Sequence, residues 1–251
     1  MGRRRQRSAK FGEELVTRIK VVTAYDRQFA SVGDIAAKSI AIYAAANGLD
    51  FEILPMPALD RPPAWGKIAI IANQFANSPA DFLLWVDADA CFVRTDRNIA
   101  DATKDGKDFY LVSHQLPKAR PSPGIVTYVE RPNTGVFLIR RSEWSQKFLN
   151  TVWQMTKYIS HPWWENAAVL DLLGYRFELT GNMADNKPEQ QILEKVDWLP
   201  LEWNSLPCLG RMNEVGHSGE VFDPIIVHYA GLSTEDREPL MRALTMNAKL
   251  S

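Results

Sequence analysis

Apolar and polar residues alternate in period along the chain, and the changes of period mark its elements. Phe82 to Val86 is five apolar residues in a row, which predicts a strand buried on both faces. "IKVVTAY" (19–25) predicts a first core strand, and "LDFEIL" alternates Leu49, Phe51 and Ile53 as a second. Between them an alanine-rich helix is expected from about Asp34 to Asn47, stopped by Gly48 at the left-handed capping position. Pro62 and Pro63 open a helix with Ile68, Ile71 and Phe75 at helical spacing, closed by "NSP". "FYLVS" (109–113) and "GVFLI" (135–139) read as further buried strands. Pro117, Pro121, Pro123 and Pro132 make the stretch between them a loop, long enough to serve as a flap.

Ser142 to Tyr158 is amphipathic, with Trp144, Phe148, Val152 and Met155 on one face. "ENAAVLDLLG" repeats the pattern of helix followed by glycine, and "YRFEL" (175–179) alternates as a strand would. "PEQQILEKV", "WLPL", "PIIVHYAG" and a helix near Glu235 to Ala248 complete the order. Strands that alternate with helices predict an α/β fold with a mostly parallel central sheet flanked by helices. Such sheets bind ligands at the carboxyl ends of their strands, where Asp26, Asp87, Asp89, Ser113 and His228 all fall.

Charge adds one asymmetry. The net charge is −1, but Arg3, Arg4, Arg5, Arg7 and Lys10 give the first ten residues +5, leaving 24 basic against 30 acidic residues elsewhere. An acidic body excludes the basic groove of a nucleic-acid enzyme. Residues 1–18 read as a basic tail and lead-in, and 19–251 as the domain. The tail reads as solvated, with peripheral contact to an anionic membrane surface as its other use. Cys91 and Cys208 lack any paired spacing, so neither a disulfide framework nor a thiolate metal site is expected. No apolar stretch approaches the ~20 residues of a membrane span, and the basic start precedes no signal-peptide core. The expectation is a cytoplasmic protein with no transmembrane segment.

The chemistry gathers after the buried strand. In an extended segment Asp87 and Asp89 point to one side, where two hard carboxylates suit Mg²⁺ or Mn²⁺, ions that also hold substrate phosphates. His228, ending "IIVH", would tilt the choice toward Mn²⁺. Two facing carboxylates also imply that removing either relieves repulsion in the metal-free protein. The bland alternative for D-x-D is a helix cap or a strand-end turn. Haloacid-dehalogenase-type phosphatases offer another, with the first Asp as nucleophile. Here Cys91 stands where their Thr or Val is usual, and two strands precede Asp87.

"WGKIAIIANQF…DFLLWVDADACFV", "PNTGVFLIRRSEWSQKFL", "HPWWENAAVLDLL", "VDWLPLEWNSLP" and "IIVHYAG" occur in the order seen in GT-A glycosyltransferases. The chain resembles the galactosyl-, mannosyl- and xylosyltransferase family of fungal Golgi enzymes and plant xyloglucan xylosyltransferases, over roughly residues 19 to 232. The resemblance implies metal-dependent sugar transfer from a nucleotide-diphosphate donor to a glycan or glycoconjugate acceptor, with retention of configuration. It assigns Asp87, Asp89 and His228 to Mn²⁺, with Mg²⁺ as the alternative. Thr23, Ala24, Tyr25 and Asp26 fall to the nucleoside, Lys67 to the diphosphate, and Ala88, Asn133 and Gly231 to the same donor set. Glu165 and Asn166 match an acidic–Gln pair, Glu165 as nucleophile or charge stabiliser. Asn166 replaces the usual glutamine, and Trp164 replaces a further acid of the plant enzymes. A non-catalytic sugar-binding protein on the same fold is the rival reading.

Other residues carry two readings each. His114 is a donor or acceptor contact, or a hydrogen-bonded strand-end residue. Trp163, Trp164, Trp203 and Asn204 are an acceptor wall or packing. Trp144, Phe148 and Trp153 are core, and Glu189 to Gln191 a solvated helix start.

Overall fold

The computed structural model describes residues 17–117, 128–207 and 223–248. The basic residues 3–10, Pro121, Pro123 and Cys208 lie outside the described residues. Strands β1 (Ile19–Tyr25), β2 (Asp50–Pro55) and β3 (Phe82–Val86) are mutually parallel about β1. Beyond β3 come β6 (Tyr128–Arg140), β5 (Phe109–Pro117) and β7 (Val196–Trp198), giving the order β2-β1-β3-β6-β5-β7. Only β6 runs against the rest of this sheet, pairing antiparallel with both β3 and β5 while β5 and β7 are parallel. Two short strands, β4 (Ala90–Phe92) and β8 (Ile226–His228), form a second antiparallel pair.

Helix α1 (Ala30–Ala46) covers one face of the sheet, its Val32, Ile35, Ile40 and Tyr43 packing with Val21, Leu84 and Leu138. Helices α2 (Gly66–Asn77), α3 (Glu143–Gln154) and α4 (Trp164–Leu173) supply the other face, with Ile71, Phe148 and Leu170 against Leu83, Trp85 and Phe137. Alternate residues of β3 thus feed opposite cores, so the strand has no wet side, as its apolar run requires. Trp144 stacks on Phe148, within the expected core face of α3. Helix α7 (Thr234–Asn247) returns to α1 after a Ser233 cap whose side chain accepts from the Asp236 amide.

Four expectations need correction. "YRFEL" contains the short helix α5 (Phe177–Thr180) between Gly174 and Gly181, both left-handed, rather than a strand. Five alternating residues are too few to decide the period, and the neighbouring edge of β5 is taken by β7. The described part of the proline-rich stretch is strand rather than loop: β5 runs to Pro117 and β6 begins at Tyr128, with Pro132 paired to Ser113. The stretch Arg27–Ala46 is long and apolar enough by length and composition to cross a membrane, against the expectation that none is. Here α1 presses its apolar residues onto the sheet. Finally, Asp87-Ala88-Asp89 is a turn closed by the Ala90 amide on the Asp87 carbonyl at 3.0 Å, not extended chain. Short α6 (Gln190–Leu193) follows the expected exposed start at Glu189.

Candidate active site

Asp87 leaves the carboxyl end of β3 and Asp89 enters β4, so the turn sets their spacing. The β5–β6 ladder breaks beside them. Leu111 faces Phe137 but Val112 faces Asn133, which leaves Thr134, Gly135 and Val136 unopposed on β5's side. The freed backbone serves the site: the Gly135 carbonyl accepts from the Asp87 amide at 2.7 Å and the Thr134 carbonyl from Lys67 Nζ at 3.1 Å. A Cβ at Gly135 would lie 2.0 Å from His228 Cε1, so only glycine leaves room for this imidazole.

Oxygens of Asp87 and Asp89 and a nitrogen of His228 all lie within 4.8 Å of one another. His228 Nε2 stands 3.2 Å from Asp89 Oδ1 and 4.0 Å from Asp87 Oδ2. Arg237, from α7, pairs with Asp89 Oδ2 at 3.1 Å. Burial alone would raise the Asp89 pKa, but His228 in its charged form and Arg237 outweigh it and bring it down to about 2. The Trp85 indole donates to Asp87 Oδ1 at 2.6 Å.

Lys67 is buried, and its ammonium meets Asp87 Oδ1 and Glu165 Oε1, each at 2.9 Å, besides the Thr134 carbonyl. Burial works against this charge, but the two carboxylates outweigh it and hold the ammonium above its ordinary range. Glu165 is 3% exposed; burial pushes its pKa up, against Lys67 and with Asp87. Thr134 Oγ1 donates within reach of Glu165 Oε1 at 3.2 Å and Asn166 Oδ1 at 3.0 Å, and Asn166 Oδ1 also accepts from the Thr134 amide.

A cleft of about 540 Å³ opens over this floor. Tyr25 and Asp26 line one part, Lys67, Asp87 and Asp89 another, with Trp164 and Arg237 in its walls. Tyr25 lies flat on Gly33, where a Cβ would come within 2.4 Å of the ring, and its hydroxyl donates to Asp34 at 2.9 Å. Trp164 has φ +45°, the only positive value at a non-glycine among the described residues, and is 42% exposed. A bulky residue held there is strained, a condition that concentrates at functional sites.

No protein-family model matches the chain. A 92-residue segment is 35% identical to "Putative glycosyltransferase 7" of Arabidopsis thaliana, and one of 116 residues is 32% identical to "Probable glycosyltransferase 7" of Oryza sativa subsp. indica. These segments cover 35% and 43% of this chain but only 18% and 24% of the plant proteins, so the match spans less than a quarter of either relative. Over 90% of this chain and 99% of the other, a glycosyltransferase involved in the glycosylation of the major capsid of PBCV-1 superposes with TM-score 0.61 at 14% identity. The glycosyltransferase GlyE of Streptococcus pneumoniae TIGR4 superposes with TM-score 0.51 at 15% identity, over 92% of this chain and 60% of that one. The fold is that of the GT-A glycosyltransferases.

Within this GT-A fold the sequence-derived set divides. Ala24, Tyr25, Asp26, Lys67, Asp87, Ala88, Asp89 and Trp164 line the cleft. Thr23 does not; it is buried in β1 with an unpartnered hydroxyl. Gly231 lies outside the cleft lining, at φ +77°. Lys67 reaches the cleft, but three acceptors already surround its ammonium, so it braces Asp87 and Glu165 rather than waiting for a phosphate. Glu165 sits behind it, outside the lining.

Trp203 is buried edge-on against Tyr43, and His114 and Asn204 are fully buried, which removes all three from an exposed acceptor wall. The expected carboxylate repulsion is also absent, since Asp87 faces Lys67 and Asp89 faces Arg237 and His228. Sequence reasoning missed Arg237, Trp85 and Thr134. Trp85 was hidden inside an apolar run, and Arg237 carries no motif beyond following "HYAG".

Proposed function

We propose that residues 19–251 act as a catalytic domain that moves a sugar from a nucleotide-diphosphate sugar to a hydroxyl of a glycan acceptor, with retention of configuration. The observation that carries this reading is the convergence of Asp87, Asp89 and the buried His228, the two aspartates lining a cleft that reaches Tyr25 and Asp26. Two carboxylates and one imidazole fit a divalent cation, and the nitrogen donor favours Mn²⁺ over Mg²⁺. A cation held by these three residues would supply Lewis-acid stabilisation for the charge that gathers on a departing diphosphate.

The chain's own residues do the rest. Tyr25, flat on α1, offers an aromatic face for the nucleoside, and Asp26 stands beside it. Arg237 in the cleft wall adds fixed positive charge beside the diphosphate position. Lys67 holds the Asp87 carboxylate in place, and Glu165 balances Lys67 from behind. This gives Glu165 a role in charge balance rather than as a nucleophile. Asn166 fixes the Thr134 segment of the bulge. Trp164, exposed and strained, presents a flat ring to the apolar face of an acceptor sugar. The plant relatives carry glycosyltransferase names, and the GT-A fold houses such chemistry, which supports the reading.

A screen of UDP- and GDP-sugars for Mn²⁺-dependent donor hydrolysis, with the product anomer read by NMR, tests it. Turnover abolished by chelation and a retained anomer are expected. Metal-dependent nucleotide binding with no turnover on any donor would favour a binding protein. Phosphate release from simple monoesters would favour a phosphatase.

A further inference from the structure

His228 has two ring nitrogens, and which of them carries the proton decides whether the ring offers a lone pair to the aspartates. A chain of hydrogen bonds answers this from a backbone group whose role is fixed. The Gly135 amide lies 2.9 Å from Asn133 Oδ1. A backbone N–H only donates, so the accepting atom of Asn133 is its oxygen, and its side-chain amide has one orientation. The same oxygen stands 2.9 Å from the Asn204 side-chain nitrogen, which therefore donates to it. That turns Asn204 Oδ1 toward His228 Nδ1, at 2.9 Å. An amide oxygen only accepts, so Nδ1 carries the proton.

In the neutral ring this leaves the lone pair on Nε2, the nitrogen 3.2 Å from Asp89 and 4.0 Å from Asp87. The histidine end of the chain is enclosed, with Asn204 0% exposed and His228 3%, while Asn133 is half-buried. His114 Nε2 lies 2.8 Å from the Asn204 carbonyl and donates to it, which pins the asparagine's backbone from the far side. The ring itself is seated on Gly135.

We propose that Asn204 is a positioning residue: oriented through Asn133 by the Gly135 amide, it sets the tautomer of His228 and presents Nε2 as the open ligand atom. The assignment rests on the metal reading of the site for its purpose, but its geometry stands without a metal. It replaces the expectation that Asn204 and Asn133 touch sugars. A partner on the second nitrogen raises the basicity of a ligating imidazole and fixes its direction, and removing such a partner costs about 10–100-fold in metal affinity.

Long-range proton–nitrogen NMR on the metal-free full chain at about pH 9, where an ordinary imidazole is neutral, reads the tautomer directly. Protonated Nδ1 and bare Nε2 are expected for His228. A proton on Nε2, or on both nitrogens, would overturn the proposal. Mn²⁺ titration followed by electron paramagnetic resonance then tests the consequence. Asn204→Ala should weaken binding by about 10–100-fold and release the tautomer preference, while Asn133→Asp, which keeps the oxygen that the Gly135 amide and Asn204 both donate to, should keep the tautomer and bind Mn²⁺ at least as well as the parent.

Wild-type affinity in Asn204→Ala would overturn the positioning role. Should Asn204→Ala fail to fold, the wild-type tautomer and the tautomer in Asn133→Asp still decide the question, and loss of the Nδ1 proton in either would overturn the proposal. A protonated Nδ1 in a wild-type chain that takes up no Mn²⁺ would support the tautomer assignment and sink the metal reading. Tight Mn²⁺ binding with Nδ1 bare would do the reverse.

Discussion

Lys67 shows how one side chain's surroundings decide its role. "WGK" at a helix start invited a phosphate contact, but the fold buries the ammonium between Asp87 and Glu165. Removing one partner of a buried pair costs about 3–5 kcal/mol, because it strands the opposite charge. Lys67→Met is therefore expected to lower unfolding stability in urea by roughly that much, and adding Glu165→Gln should restore part of it. If Lys67→Met leaves stability unchanged and weakens only nucleotide binding, the phosphate role is correct.

His114 gives a second residue-level outcome. Burial pushes its pKa down to about 4, below the ordinary value near 6.5. The unfolded chain then binds more protons between those values, so the contribution of the neutral ring is complete above about pH 6.5 and is lost as pH falls toward 4. The loss is of order 3 kcal/mol. His114→Gln should flatten the fall of urea stability between these pH values; an unchanged slope would assign that fall to other groups. Neither burial was legible, because no local pattern marks a histidine or lysine that distant elements will enclose.

At the scale of elements, the sequence was most readable where a run was long or wholly apolar. β1, β3, α2, α4 and α7 stand within a few residues of their expected ranges. The β5–β6 pairing was not legible, since Pro117 and Pro132 look like loop residues, yet Pro132 lies in β6 next to the break in the ladder. That break matters more than the pairing. It releases Thr134 and Gly135 from β5 and aims them at Lys67, Asp87 and His228. Gly135→Ala would place a methyl 2.0 Å from His228, forcing the ring or the bulge to move. The expected outcome is a folded protein by circular dichroism with Mn²⁺ affinity at least about tenfold weaker, and parental affinity would show that the bulge yields at no expense to the site.

Helix α7 makes the opposite kind of contribution. Its Arg237 holds a positive charge on Asp89 Oδ2, beside the Oδ1 that faces His228, and so repels a cation bound there. Arg237→Met should therefore strengthen Mn²⁺ binding without nucleotide and weaken nucleoside-diphosphate binding, both measurable by calorimetry. Weaker Mn²⁺ binding in this variant would mean that Arg237 serves mainly to hold Asp89 in place.

At the scale of the molecule, alternating strands and helices foretold the mostly parallel sheet, and the carboxyl-end rule foretold where Asp87, Asp89 and His228 gather. Asp87 and His228 are more than a hundred residues apart, and nothing local joins them. Pairing of β4 with β8 sets Ala90 opposite His228 and brings the two together. The central claim is that this junction binds a cation that in turn holds a nucleotide diphosphate. Calorimetric titration of UDP and GDP into the full chain, with Mn²⁺ and then with chelator, tests it most directly, using Asp89→Asn as the matched variant. The account expects at least one of the two nucleotides to bind only when Mn²⁺ is present, and that binding to be lost in Asp89→Asn. Equal binding in chelator, or an unimpaired Asp89→Asn response to Mn²⁺, would contradict it.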